Sequence, residues 1–364
     1  MKEILIPKSL SQKVMMVSVI YKTSGPAGGG VSSVLQSYSE YIENMRHIPT
    51  WKDTNKLNKA WYFLYHYVWF WLLLIFDRRI KIVHIHTADG PSFERKSAMM
   101  RAAKHMGKRV ILHMHAASFH EYYEESTKKE WIFKNVNLCD RLIVLSPWWR
   151  DYFVKFGIEE EKIIMLNNIV SIPDKVEHRK PEMPIRYTFL GHLGKRKGIW
   201  DMLDVIDNHK NDLRGKFCLR FGGNGFEDEI KAYIEEHSLQ DFVVFEGWVN
   251  GEKKAELLRW ADVFMLPSYN EGLPISILEA LAYGMPVIST PVGGIPEVVK
   301  NSVNGIMVEP GNKVDIWNAI KFYIDNNTAI ENEGKNSLKM VKPYTPKYVM
   351  EHLTSIYEEL LNVV

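Results

Sequence analysis

Short apolar runs recur along the chain and alternate with longer stretches in which apolar and polar residues are mixed. The runs have the length of buried strands, and the mixed stretches are long enough for helices. Strands are therefore predicted at residues 13–20, 82–86, 110–115, 142–145, 187–190, 217–221, 243–245, 263–266 and 287–289. Strands that alternate with helices favour parallel sheets, which bind ligands at the carboxyl ends of their strands.

The alternation is interrupted once and then restarts, which indicates two domains. The interruption lies near residues 167–180, where Pro173 and several charges are typical of a linker. With 364 residues, 46% of them hydrophobic, the chain is long enough for two α/β domains. We place the first domain at residues 1–172 and the second at residues 173–343.

Two glutamates, Glu271 and Glu279, stand at a predicted loop-to-helix junction in residues 267–290. Pro274 suits the first helical turn, and the residues after it are mostly apolar up to about residue 283. The start of a helix offers unpaired N–H groups and a positive dipole end, which attract phosphate. Eight residues of helix would separate the two backbones by about 12 Å. The carboxyl pair of a glycoside hydrolase lies closer, at about 5–9.5 Å, so the glutamates fit different parts of one ligand better.

The segments around these glutamates resemble the donor-site signature of retaining glycosyltransferases of family four. They read Asn270-Glu-Gly-Leu-Pro, Leu278-Glu-Ala and Gly284-Met-Pro-Val-Ile. The resemblance covers nearly the whole chain and is strongest from residue 187 to 310. It implies the GT-B architecture, in which two Rossmann-like domains face each other across a cleft, the first on the acceptor side and the second binding a nucleotide-diphosphate sugar. It also implies that a last helix, residues 344–364, packs back on the first domain.

The start of the second domain carries the same resemblance. Family members have an arginine and a lysine that clamp the diphosphate, and Lys197 matches the lysine. His192 stands where the arginine is usual and would be a weaker, pH-dependent clamp, so Arg196 or Lys195 is the candidate for that role. A solvated basic turn is the alternative for this segment.

Glycine segments complete the resemblance. Gly29-Gly30-Val31 looks like the family's segment near the diphosphate, although a plain tight turn is the alternative; Gly223 and Gly247 match glycines near the nucleotide. The donor-binding residues implied in all are Gly29, Gly30, His192, Arg196, Lys197, Gly223, Gly247, Glu271, Gly272, Leu273, Pro274, Ile275, Ser276 and Glu279.

The resemblance also implies the chemistry. Glu279 would hold the ribose, Glu271 the donor sugar and Lys197 the diphosphate, while His115 would face the transferred sugar. We therefore expect His115, Glu271 and Lys197 to be catalytic, with front-face attack through an ion pair. No Asp-x-Asp motif is evident, so no metal or other cofactor is expected, and Lys197, Arg196 and helix N–H groups would neutralise the leaving diphosphate.

Histidines cluster in the first domain, and alternating histidines on a strand could bind a metal. The pairs His84/His86 and His113/His115 lie on separate predicted strands, and no Cys or Asp completes a set, so no metal site is expected. His86 either lines the same ligand-binding opening as His115 or is a buried core histidine whose hydrogen bonds are made within the protein. Both interpretations stay open. The candidate acceptor residues are His86, Arg95, Lys96, His120 and Glu121.

Residues 60–76, AWYFLYHYVWFWLLLIF, allow three interpretations. They form a core helix, an amphipathic aromatic helix resting on an anionic membrane, or a membrane span at the lower limit of length. Residues 1–110 hold 17 Lys and Arg against 7 Asp and Glu, although the net charge of the chain is only +2. This asymmetry indicates an acidic lipid surface or a phosphorylated acceptor, because no nucleic-acid recognition motif accompanies it.

These observations combine into one functional hypothesis. The chain is expected to be a retaining, metal-independent hexosyltransferase that moves a sugar from a UDP-sugar to a glycan or polyprenyl-diphosphate-linked acceptor, in bacterial capsule, exopolysaccharide or O-antigen synthesis. With two cysteines and no evident secretory signal, we expect it in the cytoplasm, peripheral on the inner face of the membrane. A nucleotide-sugar epimerase of the same fold and a catalytically silent binding protein are the alternatives.

Overall fold

The computed structural model describes residues 3–21, 30–116, 118–170, 172–173, 176 and 181–362. The strands are β1 Val14–Ser18, β2 Arg46–Pro49, β3 Ile82–Thr87, β4 Arg109–Met114, β5 Arg141–Val144, β6 Ile163–Met165, β7 Ile185–Leu190, β8 Phe217–Gly222, β9 Val243–Phe245, β10 Val263–Leu266, β11 Val287–Ser289 and β12 Gly305–Met307. The helices are α1 Lys8–Ser11, α2 Gly30–Tyr41, α3 Lys56–Phe76, α4 Gly90–His105, α5 Phe119–Glu125, α6 Lys129–Val136, α7 Pro147–Phe156, α8 Ile199–Asn208, α9 Lys210–Leu213, α10 Glu227–Glu236, α11 Gly251–Trp260, α12 Ile275–Ala282, α13 Ile295–Val298, α14 Lys313–Asp325, α15 Asn327–Met340 and α16 Pro346–Asn362.

The strands form two six-stranded sheets. Their orders are β2-β1-β3-β4-β5-β6 and β12-β11-β10-β7-β8-β9, and each hydrogen-bonded pair of these strands is parallel. The chain accordingly divides into two compact units. The first unit comprises Met1–Ile169 and Pro346–Val364, and the second comprises Val170–Thr345. The predicted α/β class with two parallel-sheet, Rossmann-like domains is confirmed.

Burial explains which strands the apolar pattern revealed. The central strands β1, β3 and β10 are buried at every residue, as expected where helices cover both faces of a parallel sheet. The pattern missed β2, β6 and β12, which lie at sheet edges. Each of these three strands has three or four residues and is only partly buried, and β6 was missed although Ile163, Ile164 and Met165 form a continuous apolar run.

Helix α3 has two different faces. Phe70 and Leu74 are buried in the core of the first unit, and Asn55 caps the start of the helix by accepting a hydrogen bond from the backbone N–H of Asn58. The core-helix interpretation is therefore right for one face only. The other face is exposed and consists of Leu57, Trp61, Leu64, Tyr65, Val68, Trp69, Leu72, Ile75 and Phe76.

None of the helices among the described residues is long and apolar enough to cross a bilayer.

The C-terminal helix α16 belongs to the first unit, although the whole second unit precedes it in the chain. Its buried residues include Leu353, Ile356 and Tyr357, and the Tyr357 hydroxyl lies 2.8 Å from His84 Nδ1. The second unit begins and ends at one place, since the backbone N–H of Val170 donates to the Tyr344 carbonyl at 2.9 Å.

Candidate active site

In the second unit, two loops at the carboxyl ends of neighbouring strands bring opposite charges together. Lys197 follows β7 and Glu271 follows β10, and these strands pair in the sheet. The Lys197 ammonium forms an ion pair with Glu271 Oε1, and the Ser268 hydroxyl donates to the same oxygen at 2.9 Å. Arg196 Nη1 lies 3.7 Å from Glu271 Oε2. A buried carboxylate thus sits beside two cations.

Burial dominates the electrostatics of this pair. It lowers the pKa of the Lys197 ammonium, and the attraction of Glu271 offsets that shift only in part. The ammonium is therefore poorly hydrated and keeps its charge through its carboxylate partner. A poorly hydrated cation interacts strongly with an oxyanion that reaches it.

The loop that carries Glu271 is held on both sides by backbone contacts. Arg196 Nη1 donates to the Asn270 carbonyl at 2.6 Å, and the Gly294 N–H donates to the Gly272 carbonyl at 2.5 Å. Gly293 has φ +55°, and a Cβ atom there would lie 1.9 Å from the Glu271 carbonyl oxygen. The sequence did not single out the pair Gly293-Gly294, whose signal was its place in the loop after the strand predicted at 287–289.

Helix α12 begins one residue later than predicted. Pro274 is the N-cap with extended backbone, and Ile275 is the first helical residue, so the prediction that Pro274 lies in the first turn was wrong. Proline fits here because it fixes its own φ, which is −66°. Leu273 is buried beside it, and Ser276 is partly buried in the first turn.

Glu279 lies further along α12 and has a partner that sequence analysis missed. Lys254 of α11 forms an ion pair with Glu279 Oε1. No motif marks Lys254, which looks like any lysine of a solvated helix, so only the packing of α11 beside the site identifies it. The two glutamates therefore each have a lysine partner.

The glycine loops of the second unit are packed tightly. The Gly223 N–H donates to the Gly247 carbonyl at 2.9 Å, and a Cβ atom on Gly223 would lie 1.9 Å from the Gly191 carbonyl oxygen. His192 is exposed, and its ring fills the space beside Gly225, where a Cβ atom would lie 2.6 Å from Nε2. Close packing explains the need for glycine at Gly223, whereas Gly247 has φ +68° with open space around it.

In the first unit, the histidines form one cluster. Strands β3 and β4 are neighbours, with His86 in register with His113. His86 Nδ1 lies 2.9 Å from His115 Nε2, and His84 Nε2 lies 3.2 Å from His113 Nδ1. The inference that separate strands keep the two histidine pairs apart was wrong, because parallel neighbours place their carboxyl ends together.

Burial keeps these imidazoles neutral. It lowers the pKa of His84 and of His115 to about 3 and holds the pKa values of His86 and His113 well below the usual range. His84, His86 and His113 offer ring nitrogens within 4.8 Å of one another, a spacing that would suit a metal ion. Lys96 is a positive neighbour of the cluster, which disfavours a second cation.

Lys96 of α4 is buried, and its ammonium donates to Ser92 Oγ at 2.9 Å. Burial lowers its pKa to about 7, and the positive charge of Arg95 contributes to that shift. The structure thus brings together four sequence-predicted residues of this unit: His86, His115, Arg95 and Lys96.

The contacts of two other candidate acceptor residues are with different parts of the first unit. His120 and Glu121 belong to α5. The His120 ring packs against Trp148 and Trp149 at centroid distances of 5.5 and 5.9 Å. Gly30 is the exposed first residue of α2, whereas Gly29 lies outside the described residues.

Comparison with known proteins decides the family. The protein-family model described as "Glycosyl transferases group 1" matches residues 171–340. A second family model, described as "Glycosyltransferase Family 4", matches residues 27–172. The chain belongs to glycosyltransferase family 4. The chain has the GT-B fold. The crystal structure of Anabaena Alr3699/HepE in complex with UDP matches it with a TM-score of 0.69 at 14% identity, over 97% of this chain and 100% of that one.

Curated relatives of the chain include the uncharacterized glycosyltransferase MJ1069 of Methanocaldococcus jannaschii, 27% identical over 250 residues, which are 66% of this chain and 63% of the relative. The amylovoran biosynthesis glycosyltransferase AmsK of Erwinia amylovora is 28% identical over 217 residues, 56% of this chain and 52% of the relative. The matched part therefore spans less than two thirds of either relative.

Proposed function

We propose that this glycosyltransferase transfers a hexose from a UDP-sugar to a glycan or lipid-linked acceptor in bacterial surface-polysaccharide synthesis, with retention of configuration and without a metal ion. The observation that carries the proposal is the Lys197–Glu271 ion pair at the carboxyl edge of the second sheet. It joins a cation suited to diphosphate oxygens and a carboxylate suited to sugar hydroxyls. The UDP in the HepE structure and the polysaccharide named for AmsK support the donor and the pathway.

We assign the roles within the second unit from the family resemblance, and the contacts described above support them. Lys197, with Arg196 beside it, would neutralise the charge that develops on the leaving diphosphate. Glu271 would accept hydrogen bonds from the donor sugar, and Glu279, held by Lys254, would accept them from the ribose. In the first unit, His115 is partly exposed and stays neutral, so it would serve as a hydrogen-bond partner of the sugar rather than as a cation.

Nucleotide binding tests the donor assignment. UDP, GDP and ADP are titrated by calorimetry into the wild type, the Glu279→Gln variant and a control, Glu331→Gln, which removes a partly exposed carboxylate that pairs with Lys335 within α15. We expect tight binding of UDP alone, weakened about 10-fold or more by Glu279→Gln, because an amide accepts hydrogen bonds less strongly than a carboxylate. Equal affinity of all three proteins, or no nucleotide bound, would contradict the assignment.

Product analysis completes that test. With donor and acceptor present, NMR of the new glycosidic bond reports whether the configuration is retained, and an unchanged rate in EDTA is expected for a metal-independent reaction. Isomerised sugar nucleotide without acceptor consumption would instead identify an epimerase.

The exposed face of α3 is proposed to rest on an anionic membrane. Its nine large apolar side chains are 39% to 78% exposed and lie within an arc of about 140° around the helix. Patches of this kind mark interaction surfaces. The positive charge of residues 1–110 complements an anionic lipid surface, with Lys52, Lys56 and Arg78 exposed at or near the two ends of the helix.

Vesicle sedimentation tests this surface. The double variant Trp61→Ser/Trp69→Ser should reduce binding to vesicles of anionic phospholipid by about 10-fold or more, since each tryptophan would lose apolar contact with the lipid. Tyr348→Ser, which alters an exposed aromatic residue of α16, should bind as the wild type does. Unaltered vesicle binding by the double variant would refute the proposal, as would a wild-type dimer that the double variant abolishes.

A further inference from the structure

His115 contacts a second histidine that lies behind it in the first unit. His86, on β3, is fully buried, whereas His115, which follows β4, is partly exposed. His86 Nδ1 lies 2.9 Å from His115 Nε2, and the two rings are nearly parallel, with an interplanar angle of 14°. Because none of the surface of His86 is exposed, this residue can act on a ligand only through His115.

Neighbouring groups hold the pair in place. The His86 ring stacks on that of His84 with centroids 4.3 Å apart and meets the Tyr38 ring edge-on at 5.7 Å. The backbone N–H of His115 donates to the Thr87 carbonyl at 2.8 Å. Strand β3 therefore holds His115 through its backbone and through its side chain, as a site needs when the direction of a side chain matters.

The contact between the two rings restricts where their protons lie. Burial keeps both imidazoles neutral, since it lowers the pKa of His115 to about 3 and holds the pKa of His86 well below the usual range. A neutral imidazole has one N–H group and one lone pair, so one ring donates and the other accepts. If His115 donated, the proton of His86 would lie on Nε2, which is buried and has no hydrogen-bond partner among the described residues.

The opposite arrangement avoids an unpaired buried N–H group. If His86 donates from Nδ1, its Nε2 carries only a lone pair, and native proteins leave buried N–H groups unpaired more rarely than buried acceptors. The positive charge of Lys96, which acts on His86, also favours a lone pair over an N–H group. His115 then accepts at Nε2 and carries its own proton on Nδ1, the nitrogen that the contact with His86 leaves for a ligand.

We propose that His86 is a positioning residue, which donates from Nδ1 to His115 and thereby fixes His115 as a hydrogen-bond donor to an oxygen of the donor sugar. The inference rests on the proposed function, because it states how His115 acts in that reaction. The Glu271 carboxylate can only accept hydrogen bonds. The sugar would therefore meet one group that only accepts and another that only donates, which favours a single orientation of its hydroxyls.

Imidazole NMR of the wild type without ligand tests the tautomer. The protein is labelled with nitrogen-15 at histidine only, and the His115 signals are those that the His115→Asn variant lacks. Two-bond correlations between ring protons and ring nitrogens identify the nitrogen that carries the proton. We expect the proton on Nδ1 of His115 in the wild type, and a mixture of both tautomers in His86→Leu, whose side chain makes no hydrogen bond. A proton on Nε2 of His115 in the wild type would overturn the proposal.

Kinetics test whether this hydrogen bond serves the reaction. Asparagine carries its amide nitrogen near the place of histidine Nδ1, so His86→Asn can still donate to His115, whereas His86→Leu cannot. We expect the turnover number to fall by about 10-fold or more in His86→Leu, as when a reacting partner is misplaced, and much less in His86→Asn. His105→Leu, which alters an exposed histidine of α4, should retain wild-type turnover. Equal losses in both His86 variants would assign the effect to packing and refute the positioning role, as would full activity of His86→Leu.

Calorimetry with UDP separates this role from damage elsewhere. UDP carries no sugar, so both His86 variants should bind it with wild-type affinity, and weaker UDP binding in His86→Leu would contradict an effect confined to His115. If the wild type transfers sugar from no donor while NMR places the proton on Nδ1 of His115, the proposed function fails and the tautomer assignment stands. Thermal unfolding serves as the folding check. The wild-type spectrum decides the tautomer even if His86→Leu does not fold.

Discussion

Replacing Lys197 by methionine should slow sugar transfer by about 10²–10³-fold, the loss seen when one electrostatic donor to a developing oxyanion is removed. The side chain of Lys197 is 12% exposed and ion-paired with Glu271, so water would replace its charge poorly. The variant also leaves Glu271 with Ser268 at 2.9 Å and Arg196 at 3.7 Å as its remaining polar contacts. The turnover number is measured with saturating UDP-sugar and acceptor.

The matched control is Lys195→Met in the same turn; Lys195 was the other candidate for the clamp, but it is exposed, whereas Arg196 contacts the loop that carries Glu271. The turnover of this control should stay within about twofold of the wild type, as for a surface charge. If both variants lose activity equally, the loss reflects the net positive charge of the turn rather than the Lys197 ammonium. Unchanged turnover in Lys197→Met would exclude this lysine from the chemistry.

Mild acid should unfold the first unit. His84, His86 and His113 are fully buried and neutral, and their pKa values lie below the value of about 6.5 that histidine has in an unfolded chain. The unfolded state therefore binds more protons as the pH falls below about 6.5, and stability is lost in that direction. Three such groups amount to a loss on the order of 5 kcal/mol between pH 6.5 and 5, comparable with the whole stability of a typical domain.

Hydrogen exchange read by mass spectrometry at pH 7 and pH 5 would localise the effect. Protection should collapse in β3, β4 and α16 at the lower pH, after correction for the intrinsic exchange rate. The His113→Gln variant can keep a hydrogen bond to His84. Its stability should depend less steeply on pH, because unfolding would take up as much as one proton fewer. This explanation would be contradicted if the stability of the variant depended on pH as steeply as that of the wild type. Equal protection of the wild type at both pH values would also contradict it.

The apolar pattern predicted the central strands because both of their faces are buried. It missed β2, β6 and β12, three short edge strands that need little apolar surface, although it found β9, which is also a three-residue edge strand. Glu271, Lys197 and Glu279 could be named as candidates from motifs that fix residue type and spacing. Lys254 could not, because its contact with Glu279 arises from the packing of α11 beside α12.

The histidine cluster shows a different limit of sequence reasoning. The strands that carry it were predicted, yet the conclusion that they keep the histidines apart was wrong because strand order within a sheet was not known. Similarly, hydropathy alone could not separate the interpretations of residues 60–76. The distribution of burial around α3 shows which of its faces packs on the protein.

The return of α16 to the first unit has a consequence for biosynthesis. Residues 170–345 are continuous in the chain and have their two ends joined by the Val170–Tyr344 hydrogen bond, so this unit can fold as soon as the ribosome has released it. The unit translated first must wait for the last segment, because Tyr357 of α16 pairs with His84 in its interior. We therefore expect the second unit to complete its fold before the first, in the reverse of the order of translation. A stop codon within α16 would leave the later-made unit intact and the earlier-made one incomplete, exposing its apolar core to chaperones and proteases.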